Sequence, residues 1–186
     1  MTTADTSVRV AWRADAPAIA SLQADAWRER YGPVLPPEIV AQIVPALFEE
    51  KWVASLDKPG DARNRVLVAL EHSTVRGFAV TGPSSDDDAD PVADGEVSEL
   101  TVSPAHRGAG HGSRLLQACA DTLRADRFVR ATMWLDASDD AMRGFVTGTG
   151  WAPDGAHREV DPVGDGVVLL KQVRLHTMLG GDEDGD

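Results

Sequence analysis

A single cysteine, a single tyrosine and the lack of any long apolar run set the first limits on this 186-residue chain. With Cys119 alone, neither an intramolecular disulfide nor a cysteine-based metal cluster can form. No apolar stretch approaches the ~20 residues of a membrane-spanning helix, and no membrane partner is expected. The opening Met-Thr-Thr-Ala-Asp has neither the basic nor the apolar region of a secretion signal, so a cytoplasmic protein is expected. Cations are also scarce: 18 Lys and Arg stand against 30 Asp and Glu, a formal net charge of -12. That deficit argues against nucleic acid as a partner, because phosphate backbones require Lys and Arg.

The negative charge is clustered. Asp86, Asp87, Asp88, Asp90 and Asp94 form one group and Asp182, Glu183, Asp184 and Asp186 another, which leaves the rest of the chain nearly balanced. Such runs are expected to be solvated loops and tails, although an acidic field could draw in a cationic amine. The run Asp86-Asp-Asp-Ala-Asp90 lacks the alternating ligands, central Gly and distal Glu of an EF-hand loop, so no metal is expected. The length suits a single domain over residues 1–176, followed by a frayed acidic tail over 177–186.

What the chain does have is one stretch around which the rest is organised, from Glu96 to Leu116. Val97, Leu100 and Val102 suit a strand, Pro104 stops it, and Gly108, Gly110 and Gly112 free the backbone to turn. Leu115, Leu116, Cys119, Ala120 and Leu123 then recur at helical spacing. The turn therefore delivers the unpaired N–H groups of a helix start to one place, where the helix dipole and the Arg107 side chain favour a phosphate or pyrophosphate. The spacing is neither a P-loop, since no Lys-Ser or Lys-Thr pair follows, nor G-x-G-x-x-G.

Elsewhere, alternation of Val8, Val10 and Trp12 predicts a first strand. Asp15 reads as the cap of a helix whose apolar residues Ile19, Leu22 and Ala26 run to about Arg30. A second helical region with Ile39, Ile43 and Leu47 divides at Pro45. Val66–Leu70 and Val75–Thr81 read as a hairpin, and Gly82–Gly95 as a surface loop. Ala131–Leu135 reads as a strand, Ser138-Asp139-Asp140 as the cap of a helix to about Thr147, and Arg158–Val160 and Val167–Leu175 as closing strands. Trp12, Trp52, Trp134 and Trp151 are expected in the core, as is Cys119. The pattern is α/β around a mixed sheet, with no internal repeat.

The segment Arg107-Gly-Ala-Gly-His-Gly112 resembles the acyl-CoA loop of the GNAT superfamily of N-acetyltransferases, whose pattern is Arg or Gln, two residues, Gly, one residue, Gly or Ala. Glu96–Pro104 resembles that family's fourth strand, Gly144–Trp151 the end of its last main helix, and Trp27-x-x-x-Tyr31-Gly-x-x-Leu35-Pro36 a pattern found in many bacterial members. The order of elements resembles the family from about Val8 to Leu175. The resemblance implies a GNAT fold, a mixed and mostly antiparallel sheet flanked by helices with splayed fourth and fifth strands. It implies acetyl-CoA as cosubstrate, an amine-bearing acceptor and no metal; homodimers are frequent in the superfamily, but the sequence does not fix the oligomer. The pyrophosphate is expected on Arg107, Gly108, Ala109, Gly110, His111, Gly112 and Ser113, with His106 and His111 at the surface or on the diphosphate. The pantetheine arm is expected along Leu100, Thr101 and Val102.

Acetyl transfer requires a deprotonated amine, a stabilised oxyanion and an accommodated thiolate. The resemblance offers Glu96 first and Glu99 second as the base, with a backbone N–H near Leu100 for the oxyanion. The family's usual acid is a Tyr in the last main helix, and the aligned residue here is Val146. The thiolate could leave unprotonated, or Tyr31 could serve as acid, or a histidine could stand in. The chain could also be a catalytically weak acyl-CoA-binding or regulatory protein, or, more distantly, a nucleotide-binding protein using the same anion site.

Overall fold

The computed structural model describes residues 5–180. Strand β1 (Thr6–Val10) and a 3-10 turn (Arg13–Asp15) lead into helices α1 (Ala16–Tyr31), α2 (Pro37–Val40) and α3 (Ala46–Asp57). Strands β2 (Arg65–Glu71), β3 (Thr74–Pro83) and β4 (Asp94–Val102) follow, then a 3-10 turn (Pro104–His106), helix α4 (His111–Ala125), β5 (Arg130–Asp136), α5 (Asp140–Gly148), β6 (Ala152–Val160) and β7 (Leu170–Met178). Among the described residues the strands form a seven-stranded mixed sheet in the order β1-β2-β3-β4-β5-β7-β6. The β4–β5 pair is parallel, whereas β1–β2, β2–β3, β5–β7 and β6–β7 are antiparallel. No described helix is long and apolar enough to cross a membrane.

The described residues divide into two compact units, one of residues 5–81 and 99–119 and the other of residues 82–98 and 120–180. In the first, Val66 to Leu70 form an unbroken buried run in β2, as a strand covered on both faces requires. Ile19 and Leu22 of α1 join Val66, Val68 and Phe78 in its core, with Trp52 of α3 packed edge-on against Phe78 at 5.4 Å. The Trp52 indole also donates to Gln23 Oε1 at 2.6 Å. Gly77 is required where β3 meets β4, because a Cβ there would stand 2.7 Å from the Thr101 carbonyl oxygen. Pro45 divides the second helical region as expected, standing as the N-cap of α3.

In the second unit β5 pairs along its whole length with β7, from Arg130↔Met178 to Asp136↔Gln172. Gly95 lets β4 approach Leu123 and Phe128, whose side chains would lie 2.7 and 3.0 Å from a Cβ. Asp139 caps α5 by accepting from Met142 N at 2.9 Å.

Several expectations are corrected. Trp12 is not a core residue: it is 63% exposed, beyond the end of β1, with the Arg9 guanidinium stacked 3.8 Å from its ring centre. Asp15 holds the N-cap position of α1 as expected, but its side chain makes no capping bond, because the carboxylate turns back to Trp12 N at 2.7 Å and to Arg9. The closing hairpin is longer than its apolar residues suggest, since β6 is largely exposed and carries few of them. Strand β7 runs through Thr177 and Met178, and buried Leu179 donates its N–H to the Val129 carbonyl at 2.8 Å. The acidic end of the expected tail, residues 181–186, lies outside the described residues.

The Asp-rich loop is exposed at Asp87, Asp88 and Asp90 as expected, but two of its carboxylates are tied to a buried cation. Arg174, buried on β7, binds Asp88 through two nitrogens at 2.7 Å, Asp86 at 2.9 Å and Asp154 at 2.7 Å. Asp86 also accepts from the Trp134 indole at 2.9 Å, and Arg130 reaches Asp154 at 2.7 Å. A buried guanidinium needs carboxylates around it, and this loop provides two of the three.

Candidate active site

The Gly-rich loop lies in the first unit. Ser103 N donates to the Arg76 carbonyl at 2.8 Å, fixing the end of β4 beside β3 before the 3-10 turn. Gly108 and Gly110 have φ of 79° and 86°, a left-handed conformation open to glycine at no steric cost. The first bond of α4 runs from Arg114 N to the Gly110 carbonyl at 3.1 Å. The N–H groups of His111, Gly112 and Ser113 therefore precede the first helical ladder bond and project from the helix start, where the dipole favours an anion. Arg114 Nη1 bends back over Gly110 to donate to the Ala109 carbonyl at 3.3 Å; it would lie 2.6 Å from a Cβ there, a contact this flexible side chain can relieve by moving, so the positive φ is what requires glycine.

Of the two charged or titratable side chains expected to meet an anion, Arg107 is tied to α1 and His111 is not at the surface. Arg107 donates through both terminal nitrogens to Glu29 of α1, at 2.8 and 2.5 Å, and that pair holds the Glu29 carboxyl below the usual carboxylate range. The His111 side chain is not at the surface. It is 1% exposed, and neither ring nitrogen has a hydrogen-bond partner among the described residues. Its position explains this, since His111, Leu115 and Cys119 are four residues apart on the buried stripe of α4. Burial pushes the imidazole pKa down, which keeps the ring neutral. The backbone N–H of His111 still faces the helix start.

In the same unit, Glu99 Oε1 accepts from the Thr101 hydroxyl at 2.7 Å, one strand period away on the same face. Leu100 and Val102 are half-buried. Tyr31 is buried at the end of α1, edge-on to Trp27 at 5.4 Å, and Trp27 is in turn packed against Phe48 at 4.9 Å.

Glu96 lies in the second unit and is 8% exposed. Its Oε2 accepts from the Ser85 backbone N–H at 3.2 Å and from the Ser85 hydroxyl at 3.3 Å, so the carboxylate has a fixed orientation. The β4–β5 ladder covers Asp94 to Glu96 against Arg130 to Thr132. Glu96 is thus the last β4 residue in register with β5, although β5 continues to Asp136 and β4 to Val102. Trp134, further along β5, is half-buried, with the Arg158 guanidinium 4.3 Å from its ring centre. Val146 of α5 is fully buried and offers no proton.

Residues 18–151 match the acetyltransferase (GNAT) family. The chain belongs to this family. The fold has the same affiliation. An N-acetyltransferase from Staphylococcus aureus is 20% identical, with a TM-score of 0.73 over 95% of this chain and 99% of its own. A Salmonella typhimurium structure containing its cofactor acetyl-CoA is 21% identical, with a TM-score of 0.70 over 98% of each chain. An N-acetyltransferase from Thermoplasma acidophilum in complex with coenzyme A is 13% identical, with a TM-score of 0.70 over 94% of this chain and 99% of its own. No curated protein matches the sequence.

In this acetyltransferase-family chain, Glu29 and Ser85 are the site residues that sequence reasoning missed. Glu29 is 78 residues from Arg107 and Ser85 is 11 from Glu96, and neither pairing follows a local period. His111 was legible in principle, because it stands four residues before Leu115 on the apolar stripe.

Proposed function

We propose that the protein is an acetyl-CoA-dependent N-acetyltransferase acting on a primary amine of a small molecule or peptide through a single ternary complex. The observation that carries this reading is the loop before α4, where two left-handed glycines precede three N–H groups at a helix start. Such a start suits a pyrophosphate, and the Salmonella and Thermoplasma relatives contain acetyl-CoA and coenzyme A. The backbone N–H groups of the loop from Arg107 to Ser113 take the pyrophosphate, while the pantetheine arm follows the backbone of Leu100, Thr101 and Val102, beyond the end of the β4–β5 ladder.

In the reaction the amine nitrogen attacks the thioester carbonyl. A C–N bond forms, the carbonyl becomes an oxyanion near the Leu100 N–H, and its collapse breaks the C–S bond to release CoA thiolate. The proton leaving the amine goes to Glu96, directly or through water. Ser85 favours this assignment because its two donors hold the carboxylate in one orientation. Glu99 is the second candidate, with one oxygen already accepting from Thr101. The buried Val146 supplies no acid, but a thiol pKa near ~8.5 lets the thiolate depart with little need of one. Tyr31 remains the candidate donor.

Thiol release measured over a panel of primary amines tests the reading. Glu96→Gln is expected to lower kcat by about a hundredfold or more, the usual contribution of a general base. A second reading, a catalytically weak acyl-CoA-binding protein, is favoured by Val146. It requires CoA binding by calorimetry with no thiol release from any amine, and no effect of Glu96→Gln.

A further inference from the structure

Glu29 is an acidic residue in a place that its own helix disfavours. It lies between Arg28 and Arg30 in the final turns of α1, where the negative end of the helix dipole repels a carboxylate. What offsets that repulsion is Arg107, the first residue of the Gly-rich loop, bound through both guanidinium nitrogens with each half-exposed. The loop thus has a carboxylate attached to its own cation, next to the N–H groups of the α4 start. A polyphosphate arriving there meets an Arg107 whose charge is already balanced, and a negative charge that stays within a few residues of its binding site.

Resting on the cofactor reading above, we propose that Glu29 is a counter-charge that caps the affinity of the loop for the phosphates of CoA and so speeds departure of the CoA product. Substrate and product share the same phosphates, so any cation serving one retains the other. Product release, rather than chemistry, limits the turnover of many enzymes. The electrostatic count is simple: the Glu29–Arg107 pair is neutral, Glu29→Gln leaves +1 beside the phosphates, Arg107→Gln leaves -1, and the double variant is neutral again.

Titration calorimetry with CoA at low salt on the four proteins tests this. Glu29→Gln is expected to bind CoA about two- to fivefold more tightly, Arg107→Gln more weakly by a similar factor, and the double variant like the unaltered protein, the range that exposed ion pairs span. The differences should shrink at high salt and vanish with acetyl-pantetheine, which has no phosphate. If the pair were only a tether shaping the loop, both single variants would weaken binding and the double would not recover, which overturns the proposal. Equal binding by Glu29→Gln and the unaltered protein overturns it as well. Failure of the unaltered protein to bind CoA removes the cofactor assignment and this inference together, an outcome distinct from the other two.

Discussion

Cys119 and Val146 illustrate how little a residue's type says until its surroundings are known. Each is a buried residue on a helix stripe, and neither has access to the chemistry its position could suggest. Burial pushes the Cys119 thiol up to about 12, so almost no thiolate exists at neutral pH. Ellman's reagent is therefore expected to leave the native protein unmodified over hours and to titrate one thiol after denaturation. Val146 fills a fully buried place in α5. A tyrosine there is expected to overpack rather than to restore the missing acid: Val146→Tyr should lose about 1–3 kcal/mol of stability by denaturant unfolding, with no gain in thiol release. Glu96 differs from both, because Ser85 supplies its carboxylate with two donors and holds it in one orientation.

The elements acquire their roles from what they are tied to. The loop between β3 and β4 was expected to be a solvated acidic run, yet Asp86 and Asp88 bind Arg174 of β7, and Asp86 also takes the Trp134 indole of β5. Arg174→Met tests how far this tie holds the second unit together. The substitution keeps side-chain length but removes the guanidinium that Asp86, Asp88 and Asp154 share, leaving Asp154 only Arg130 and Asp86 the Trp134 indole and the more distant Arg158. A loss of about 3–5 kcal/mol is expected from denaturant unfolding, the usual result of removing one partner of a buried ion pair. A change of a few tenths would show that water replaces the guanidinium readily. Helix α4 shows the opposite relation, since its buried stripe of Leu115, Leu116, Cys119 and Leu123 was legible at once, and the same stripe extended by one step captures His111.

At the level of the whole molecule the titrating groups set two pH windows. The folded state lowers the His111 pKa, so the unfolded chain takes up a proton first, and stability falls as pH drops below the unfolded value near ~6.5. A second loss comes at lower pH. Arg174 holds the Asp88 carboxyl down to about 2, and Asp154 is also lowered, burial being outweighed by the Ala156 N–H and by Arg174. Their contribution is present above the unfolded carboxylate range near ~3.9 and is lost as pH falls through the folded values. Urea unfolding between pH 7.5 and 2.5 is expected to show both declines. In His111→Leu the upper decline should disappear while the lower one remains. Persistence of the upper decline in that variant would assign it to another group.

The sequence by itself determined the class of fold, the position of the Gly-rich turn and the start of α4, because glycine φ freedom, strand alternation and helical periodicity are local properties written over a few residues. It also carried the membership of the acetyltransferase family. Only the tertiary structure decided which carboxylate meets which cation. The partners Glu29–Arg107, Ser85–Glu96 and Asp86–Arg174 are separated by 78, 11 and 88 residues. Trp12 and His111 likewise exchanged their expected places, the tryptophan exposed and the histidine buried. A side chain's exposure depends on what the rest of the chain brings over it, and no window of sequence contains that information.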